Sequence, residues 1–288
     1  MSAAAFQTVI VPFDFSASAR AALTYAAGWA KQNQSQVVLV HGMVVPAVKP
    51  LSPAYGADDI HAGLQAHLEK RLEEYMTPDF RPQVVIRSGH VDMWVNEVAK
   101  AYPSPVILLS RHGWSGKQEG IGRTAKRILH QADVPVWLLA ASEPTGTHIM
   151  AAVAMDPNDM PVIRTAIALS EEWQAPVALV HVFDTMAAFG YFQEVGWQPT
   201  PTDINATAQA TEAELNRVVS QVSQAAIKPE VKVLAGTPAT VLWQEAERIG
   251  SKVVICGRHV HGAWARLLLG STTDVLARDL PSHLLLIP

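Results

Sequence analysis

Cysteine is nearly absent: Cys256 is the one thiol in 288 residues. A lone thiol forms neither an intramolecular disulfide nor a cysteine-rich zinc site, which fits a reducing compartment. Charge is thin as well, at 17% of residues, with 22 Lys and Arg against 26 Asp and Glu for a net charge of -4. That balance offers no electrostatic footprint for a polyanion and argues against nucleic acid as the main partner. No uninterrupted apolar run approaches the ~18 residues that cross a bilayer. The first basic residue, Arg20, comes too late for the charged start of a leader. The expectation is a cytoplasmic protein with no membrane partner. Aromatic residues are few, at 7%, but hydrophobic residues as a whole reach 49%, too many for disorder. The chain has the means to bury a core.

What is present is repetition. The length is about twice the ~150 residues of one domain, and the chain reads as two copies of one unit. Thr8 to Ser16 (TVIVPFDFS) is an apolar strand that stops at Asp14 ahead of an Ala-rich helical stretch to Asn33. His148 to Asp159 (HIMAAVAMDPND) repeats the pattern, stopping at Asp156 ahead of a helical stretch to about Trp173. A second strand closes on a histidine in each copy, His41 or His181, which lie 27 residues after Asp14 and 25 after Asp156. A third ends at Gly89 or Gly236. A fourth runs into Ser110-Arg111-His112-Gly113 or Gly257-Arg258-His259-Val260, placing His112 and His259 each 23 residues beyond that glycine. A last strand, VPVWLLA from Val134 or HLLLIP from His283, closes each copy. The stretch SEPTGT marks the join, so the copies are residues 1–145 and 146–288.

Strands alternating with helices predict a parallel sheet covered on both faces. The fold class is therefore α/β: two Rossmann-like, doubly wound, five-stranded parallel sheets in tandem. Such sheets bind ligands outside the carboxyl ends of their strands, so the residues just beyond each strand are the informative ones. Gly257, followed at a distance by Gly270-Ser271-Thr272, has the makings of a phosphate cradle: glycines admit phosphate oxygens to the backbone, and a helix N-terminus offers N–H groups and hydroxyls. It is not a Walker A loop, because Gly116-Lys117 runs into Gln118 without the upstream glycine. Nor is it a Gly-x-Gly-x-x-Gly dinucleotide fingerprint, since the glycines follow the fourth strand rather than the first.

On these residues the chain resembles the universal stress proteins in their tandem form. The family pattern after the fourth strand is G-x2-G-x9-G-[ST]. Gly257, Gly270 and Ser271 fall on it, with Val260 in place of the second glycine. The first copy keeps Gly113 and Gly122 but has Ser110 for the first glycine, Arg123 for the final serine, and a loop one residue shorter. The resemblance implies an adenine nucleotide alpha hydrolase-like fold and a site for ATP, with or without magnesium. In the second copy that site would comprise Asp156, Val182, Gly257, His259, Gly270, Ser271 and Thr272. In the first it would comprise Asp14, Gly42, Gly113, Gly122 and Thr124. The intact Gly-Ser-Thr favours the second copy. The resemblance also implies association through the final strands, so that VPVWLLA and HLLLIP pair within one chain, with a further homodimer built on that pseudo-dimer.

Blander readings stand beside these. Asp14 and Asp156 either meet ribose or receive N–H groups at a helix start. The paired histidines lack an i,i+4 zinc spacing and a completing thiol or carboxylate, so no protein-bound metal is expected. Ser271 has no Gly-x-Ser-x-Gly elbow around it and reads as a phosphate donor or cap. Cys256, ending an apolar strand, reads as a small hydrophobe. Two longer segments, Pro46 to Asp59 and Thr185 to Asp203, sit where lids occur; the second carries Phe189, Tyr191, Phe192 and Trp197. The copies differ in charge: 13 Lys and Arg against 12 Asp and Glu in the first, 9 against 14 in the second. The expected function is a nucleotide-binding sensor or regulator of the stress response. It is no enzyme beyond slow ATP hydrolysis. The alternative is an interaction or apolar-ligand-binding protein whose nucleotide sites have decayed.

Overall fold

The computed structural model describes residues 5–43, 57–111, 121–156, 159–184, 200–222, 228–258 and 271–288. The first copy contributes strands β1 (Thr8–Pro12), β2 (Gln36–Met43), β3 (Gln83–Ser88), β4 (Pro105–Leu109) and β5 (Val136–Leu138). The second contributes β6 (His148–Val153), β7 (Val177–Asp184), β8 (Glu230–Gly236), β9 (Ser251–Gly257) and β10 (His283–Ile287). All ten form one sheet in the order β3-β2-β1-β4-β5-β10-β9-β6-β7-β8. Within each half every pairing is parallel, and the halves join through the antiparallel pair β5–β10. The pairing of the two final strands that the resemblance implied is thus present.

Helices cover both faces because the strands are apolar on both. On one face lie α1 (Ala17–Asn33), α2 (Ala57–Glu73), α5 (Met160–Trp173) and α6 (Pro201–Val222). On the other lie α3 (Val95–Lys100), α4 (Arg123–Gln131), α7 (Pro238–Arg248) and α8 (Ser271–Asp279). The sequence of α1 explains its bounds. Alanine has the highest helix propensity. Ser16 caps the start by accepting the Ala19 N–H at 3.0 Å, and Ala19, Ala22, Leu23, Ala26 and Trp29 bury one stripe. Its end is a left-handed Gln34 (φ 55°), matched after α5 by a left-handed Gln174 (φ 52°). The segment joining the halves is pinned at Gly146, where a Cβ would lie 2.0 Å from the Gly250 carbonyl oxygen.

Trp137 and Leu285 face each other at the centre of the β5–β10 pair, flanked by Leu138–Leu284 and Val136–Leu286. Trp137 is 1% exposed and packs against Trp29 (ring centroids 4.9 Å apart), Trp173 (5.8 Å), His283 (6.0 Å) and Tyr25 (6.4 Å). These rings come from both halves. His283 Nδ1 accepts the Ala140 N–H at 3.0 Å, so the imidazole is neutral there, and burial, with Lys252 and Arg111 nearby, pushes its pKa down to about 3.

An unfolded imidazole takes its proton near pH ~6.5, before the folded one does. Stability therefore falls as pH drops from there to about 3, and this group adds no further loss below that. Urea midpoints should decline across that window, and His283→Gln, which does not titrate, should flatten the decline; parallel slopes for both proteins would assign it elsewhere.

Candidate functional site

The order β2-β1-β4 puts a topological switch point between β1 and β4, and a crevice of about 330 Å³ opens at their carboxyl ends. Five pieces of chain build it. The first is the exit of β1. Asp14 Oδ1 accepts the Ser16 N–H at 3.0 Å, Phe15 takes a left-handed φ of 62°, and Ser16 then starts α1. A positive φ is unusual for a bulky side chain and marks a turn held by its surroundings. Phe15 is held by Phe13 and His41, with ring centroids 5.2 Å away in each case. The exposed Asp14 side chain lines the crevice.

The second piece is the end of β2. His41 donates its Nδ1–H to the Phe13 carbonyl at 2.7 Å, which fastens β2 to the β1 exit. Gly42 is required by close approach: a Cβ there would sit 2.6 Å from the Gly89 carbonyl oxygen and 2.7 Å from the Val91 nitrogen. The third piece is that neighbouring turn, His90 to Asp92, whose buried Asp92 carboxylate receives Arg127 Nη1 at 3.3 Å. The fourth is Leu109 and Ser110 at the end of β4. The fifth is the start of α4. Gly122 precedes it without a side-chain cap and donates its own N–H to the Arg111 carbonyl at 2.7 Å, while Gly122 to Ala125 line the crevice. An uncapped first turn leaves helix N–H groups for an anion, and Arg123 adds a positive charge beside them.

The structure thus brings together Asp14, Gly42, Gly122 and Thr124 of the first-copy set. Gly113 lies outside the described residues, as do His259, Gly270 and Val260 of the second copy. Gly257 ends β9, half-buried; Val182 lies in β7, half-buried; Ser271 and Thr272 open α8. Residues 44–56 and 185–199, which include most of both candidate lids and the aromatic cluster Phe189 to Trp197, also lie outside the described residues. Cys256 is buried as expected, and burial pushes its thiol up to about 12.

The strand registers correct one equivalence drawn from spacing. Pro12 pairs with Val40 and Ala152 with Val180, and His181 donates to the Val153 carbonyl at 2.9 Å as His41 does to Phe13. Val153 therefore matches Phe13, Met155 (φ 65°) matches Phe15, and the residue in the place of Asp14 is Ala154. Asp156 falls two residues later, in the place of Ser16, and its N–H is taken by Asp159 Oδ2 at 2.9 Å ahead of α5. The spacings of 27 and 25 residues differ by that two-residue offset. By the same register Val182 stands where Gly42 stands. Sequence reasoning missed Ser16, His90 and Asp92, for which no motif calls, and read Arg127 only as part of a positive cluster near the loop, not as the partner of Asp92. It also passed over Arg111 and Arg258, although the repeat aligns them.

A second, larger cleft of about 900 Å³ lies between the halves, lined by Tyr25, Trp29, Glu143, Glu172, Trp173 and Lys252 among others. Lys252 Nζ sits 5.4 Å from the Trp173 ring centre and 3.7 Å from Glu143. Burial, with Glu143 nearby, raises the Tyr25 hydroxyl pKa. Among the described residues no group of three metal-ligating side chains occurs, and no helix is long and apolar enough to cross a membrane.

Compared with known proteins, the chain matches the model of the universal stress protein family twice, over residues 5–140 and 146–288. It is 28% identical over 130 residues to universal stress protein A homolog 2 of Coxiella burnetii, covering 44% of this chain and 85% of that one. In fold it is similar to a universal stress protein from Archaeoglobus fulgidus (TM-score 0.66, 15% identity, 98% of each chain covered). It is also similar to a functionally unknown protein from Pseudomonas aeruginosa (TM-score 0.61, 16% identity, 98% of this chain and 92% of the other).

The contact at Gly42 gives a direct test of the crevice wall. Gly42→Ala drives a Cβ into backbone and should cost about 1–3 kcal/mol of stability in urea titrations; a stability equal to the parent's would mean that the turn at Gly89 to Val91 yields freely.

Proposed function

The chain belongs to the universal stress protein family, and from that premise we propose that it is a stress-response regulator that binds ATP or a related adenine nucleotide at the strand-end crevice of its first half. The observation that carries this reading is the convergence of the Asp14 carboxylate, the uncapped first turn of α4 and Arg123 on one crevice of about 330 Å³. That volume lies within the ~300–1,000 Å³ of small-molecule sites. The donor set fits the group: Asp14 would accept from ribose hydroxyls, and the N–H groups of Arg123, Thr124 and Ala125 with the Arg123 guanidinium would hold phosphate oxygens. Magnesium would travel on the phosphates. The second half, favoured by its Gly270-Ser271-Thr272, has Ala154 in place of Asp14 and Val182 in place of Gly42, which moves the weight of the proposal to the first.

Regulation would come from occupancy rather than turnover, with at most slow hydrolysis. His41 is anchored by its Nδ1–H on the Phe13 carbonyl and Asp14 by the Ser16 N–H on Oδ1, so both side chains serve as fixed parts of the crevice wall. The setting proposed is the cytoplasm, and the assembly a homodimer of the tandem chain. Calorimetric titration with ATP, with and without magnesium, should show one site per chain. Asp14→Ala should weaken it roughly tenfold, the value of a hydrogen bond to a charged group, while Asp156→Ala leaves it unchanged. The reverse pattern would place the site in the second half. No heat at about millimolar ATP, with no nucleotide retained on purification, would remove the reading.

The aromatic cleft favours a second reading, that the chain holds an apolar ligand independently of nucleotide. Tyr25, Trp29 and Trp173 supply ring surface beside Glu143 and Lys252. The dye anilinonaphthalene sulfonate should then bind and quench tryptophan emission in the parent and in Asp14→Ala, but not in Trp173→Ala; equal binding by all three would dismiss the cleft.

A further inference from the structure

Each half carries an arginine immediately beyond the mouth of its fourth strand, Arg111 after Ser110 and Arg258 after Gly257. The registers make them equivalent: Ile10 pairs with Ile107 and Met150 with Val254, and each arginine stands four residues further on. Arg111 is 4% exposed. It donates from Nε to the Leu139 carbonyl at 3.2 Å in its own half, and from Nη1 and Nη2 to the Arg278 and Ser282 carbonyls, each at 3.1 Å, in the other. Arg258 donates from Nη1 to the Leu129 and His130 carbonyls, each at 3.3 Å, again in the other half.

Leu129 and His130 belong to the last turn of α4, and Arg278 to the last turn of α8. Carbonyls of a helix's last turn have no intrahelical partner and form the negative end of its dipole, where a guanidinium is well placed. Each arginine therefore closes the C-terminus of the other half's final helix. The geometry follows from β5–β10 being antiparallel. The carboxyl edge of one half lies along the amino edge of the other, and α4, returning from β4 to β5, begins at its own half's carboxyl edge and ends at the opposite one. Its first turn lines the first-half crevice, and its last turn meets the residue that follows Gly257.

We infer that Arg258 is a positioning residue for the first-half crevice, acting through α4, so that the strand end of the second half is mechanically linked to the first-half crevice across the join. This rests on the nucleotide reading for its ligand but not for its geometry. The Arg111 carbonyl also receives the Gly122 N–H at 2.7 Å, so the start of α4 is held by one arginine and its end by the other. The two should differ in what replaces them. Arg258 makes both contacts through one nitrogen, which a lysine ammonium can imitate; Arg111 uses three nitrogens in a fixed fork, which lysine cannot.

The test uses the full chain with Arg258→Ala and Arg258→Lys, because Arg111→Ala empties a buried site and risks the fold. Magnesium-ATP should bind Arg258→Ala roughly fivefold more weakly, the low end of allosteric coupling, and Arg258→Lys about as well as the parent. Hydrogen exchange without nucleotide should quicken in Arg258→Ala at Gly122 and Lys126 to Leu129, remain unchanged in β1 to β3, and revert in Arg258→Lys. Unchanged exchange in α4, or a uniform rise across the first half that lysine fails to correct, would overturn the inference. If the parent binds no ATP the nucleotide reading falls, and the exchange data still decide whether Arg258 positions α4.

Discussion

Three antiparallel residue pairs, Val136–Leu286, Trp137–Leu285 and Leu138–Leu284, hold the two halves in one sheet. Both strands are short and fully buried, and each would otherwise be a bare edge with unpaired N–H and C=O groups. Pairing each with its own copy removes both edges at once and lets one sheet continue through the join. Around that pair the rings of Tyr25, Trp29, Trp137, Trp173 and His283 are shared between the halves, so the most densely aromatic part of the core belongs to neither half alone. The neutral His283, depressed by burial and by Lys252 and Arg111, belongs to the same construction.

An antiparallel join has a directional consequence. All strands of the first half point one way and all those of the second point the other, so the two sets of carboxyl ends lie on opposite edges of the sheet. The first-half crevice therefore lies on the edge opposite the second half's own strand ends. Only an element that runs from edge to edge connects them, and the final helix of each half is such an element. The arginines beyond β4 and β9 meet those helices at their far ends.

The repeat made the fold legible. Five apolar strands per copy, spaced by helical segments, fixed the parallel order, and the ends of α1 and α5 fell at Asn33 and Trp173 as the pattern predicts. The site was legible only where a residue type announces its chemistry. Asp14, Gly42, Gly122 and Thr124 converge because strand ends converge in this topology. Asp156 misled because an aspartate near a strand end looks alike at any register; the backbone turn at Phe15 and Met155, which carries no sequence signature, sets which position faces the crevice. The pairing of Asp92 with Arg127 was invisible for a related reason, since an ion pair between a turn and a helix has no fixed spacing.

What the copies share and what they do not separate two kinds of constraint. His41 and His181 bind matching carbonyls, Gln34 and Gln174 close matching helices in the left-handed region, Phe15 and Met155 make the same strained turn, and Arg111 and Arg258 reach across the same join. Each of these holds strand ends or helix ends, a demand that both copies meet whether or not a ligand is bound. The differences fall at positions that would touch one: Asp14 against Ala154, Gly42 against Val182, Arg123 against Ser271. Gly42 shows how the two kinds of demand interact. Its lack of a Cβ admits the Gly89 to Val91 turn against β2, whereas in the second half the chain after Gly236 enters α7 directly at Pro238 and leaves room for Val182. A change in the backbone path beyond the third strand therefore alters the floor of the crevice, and the two sites diverge while the frame around them stays the same.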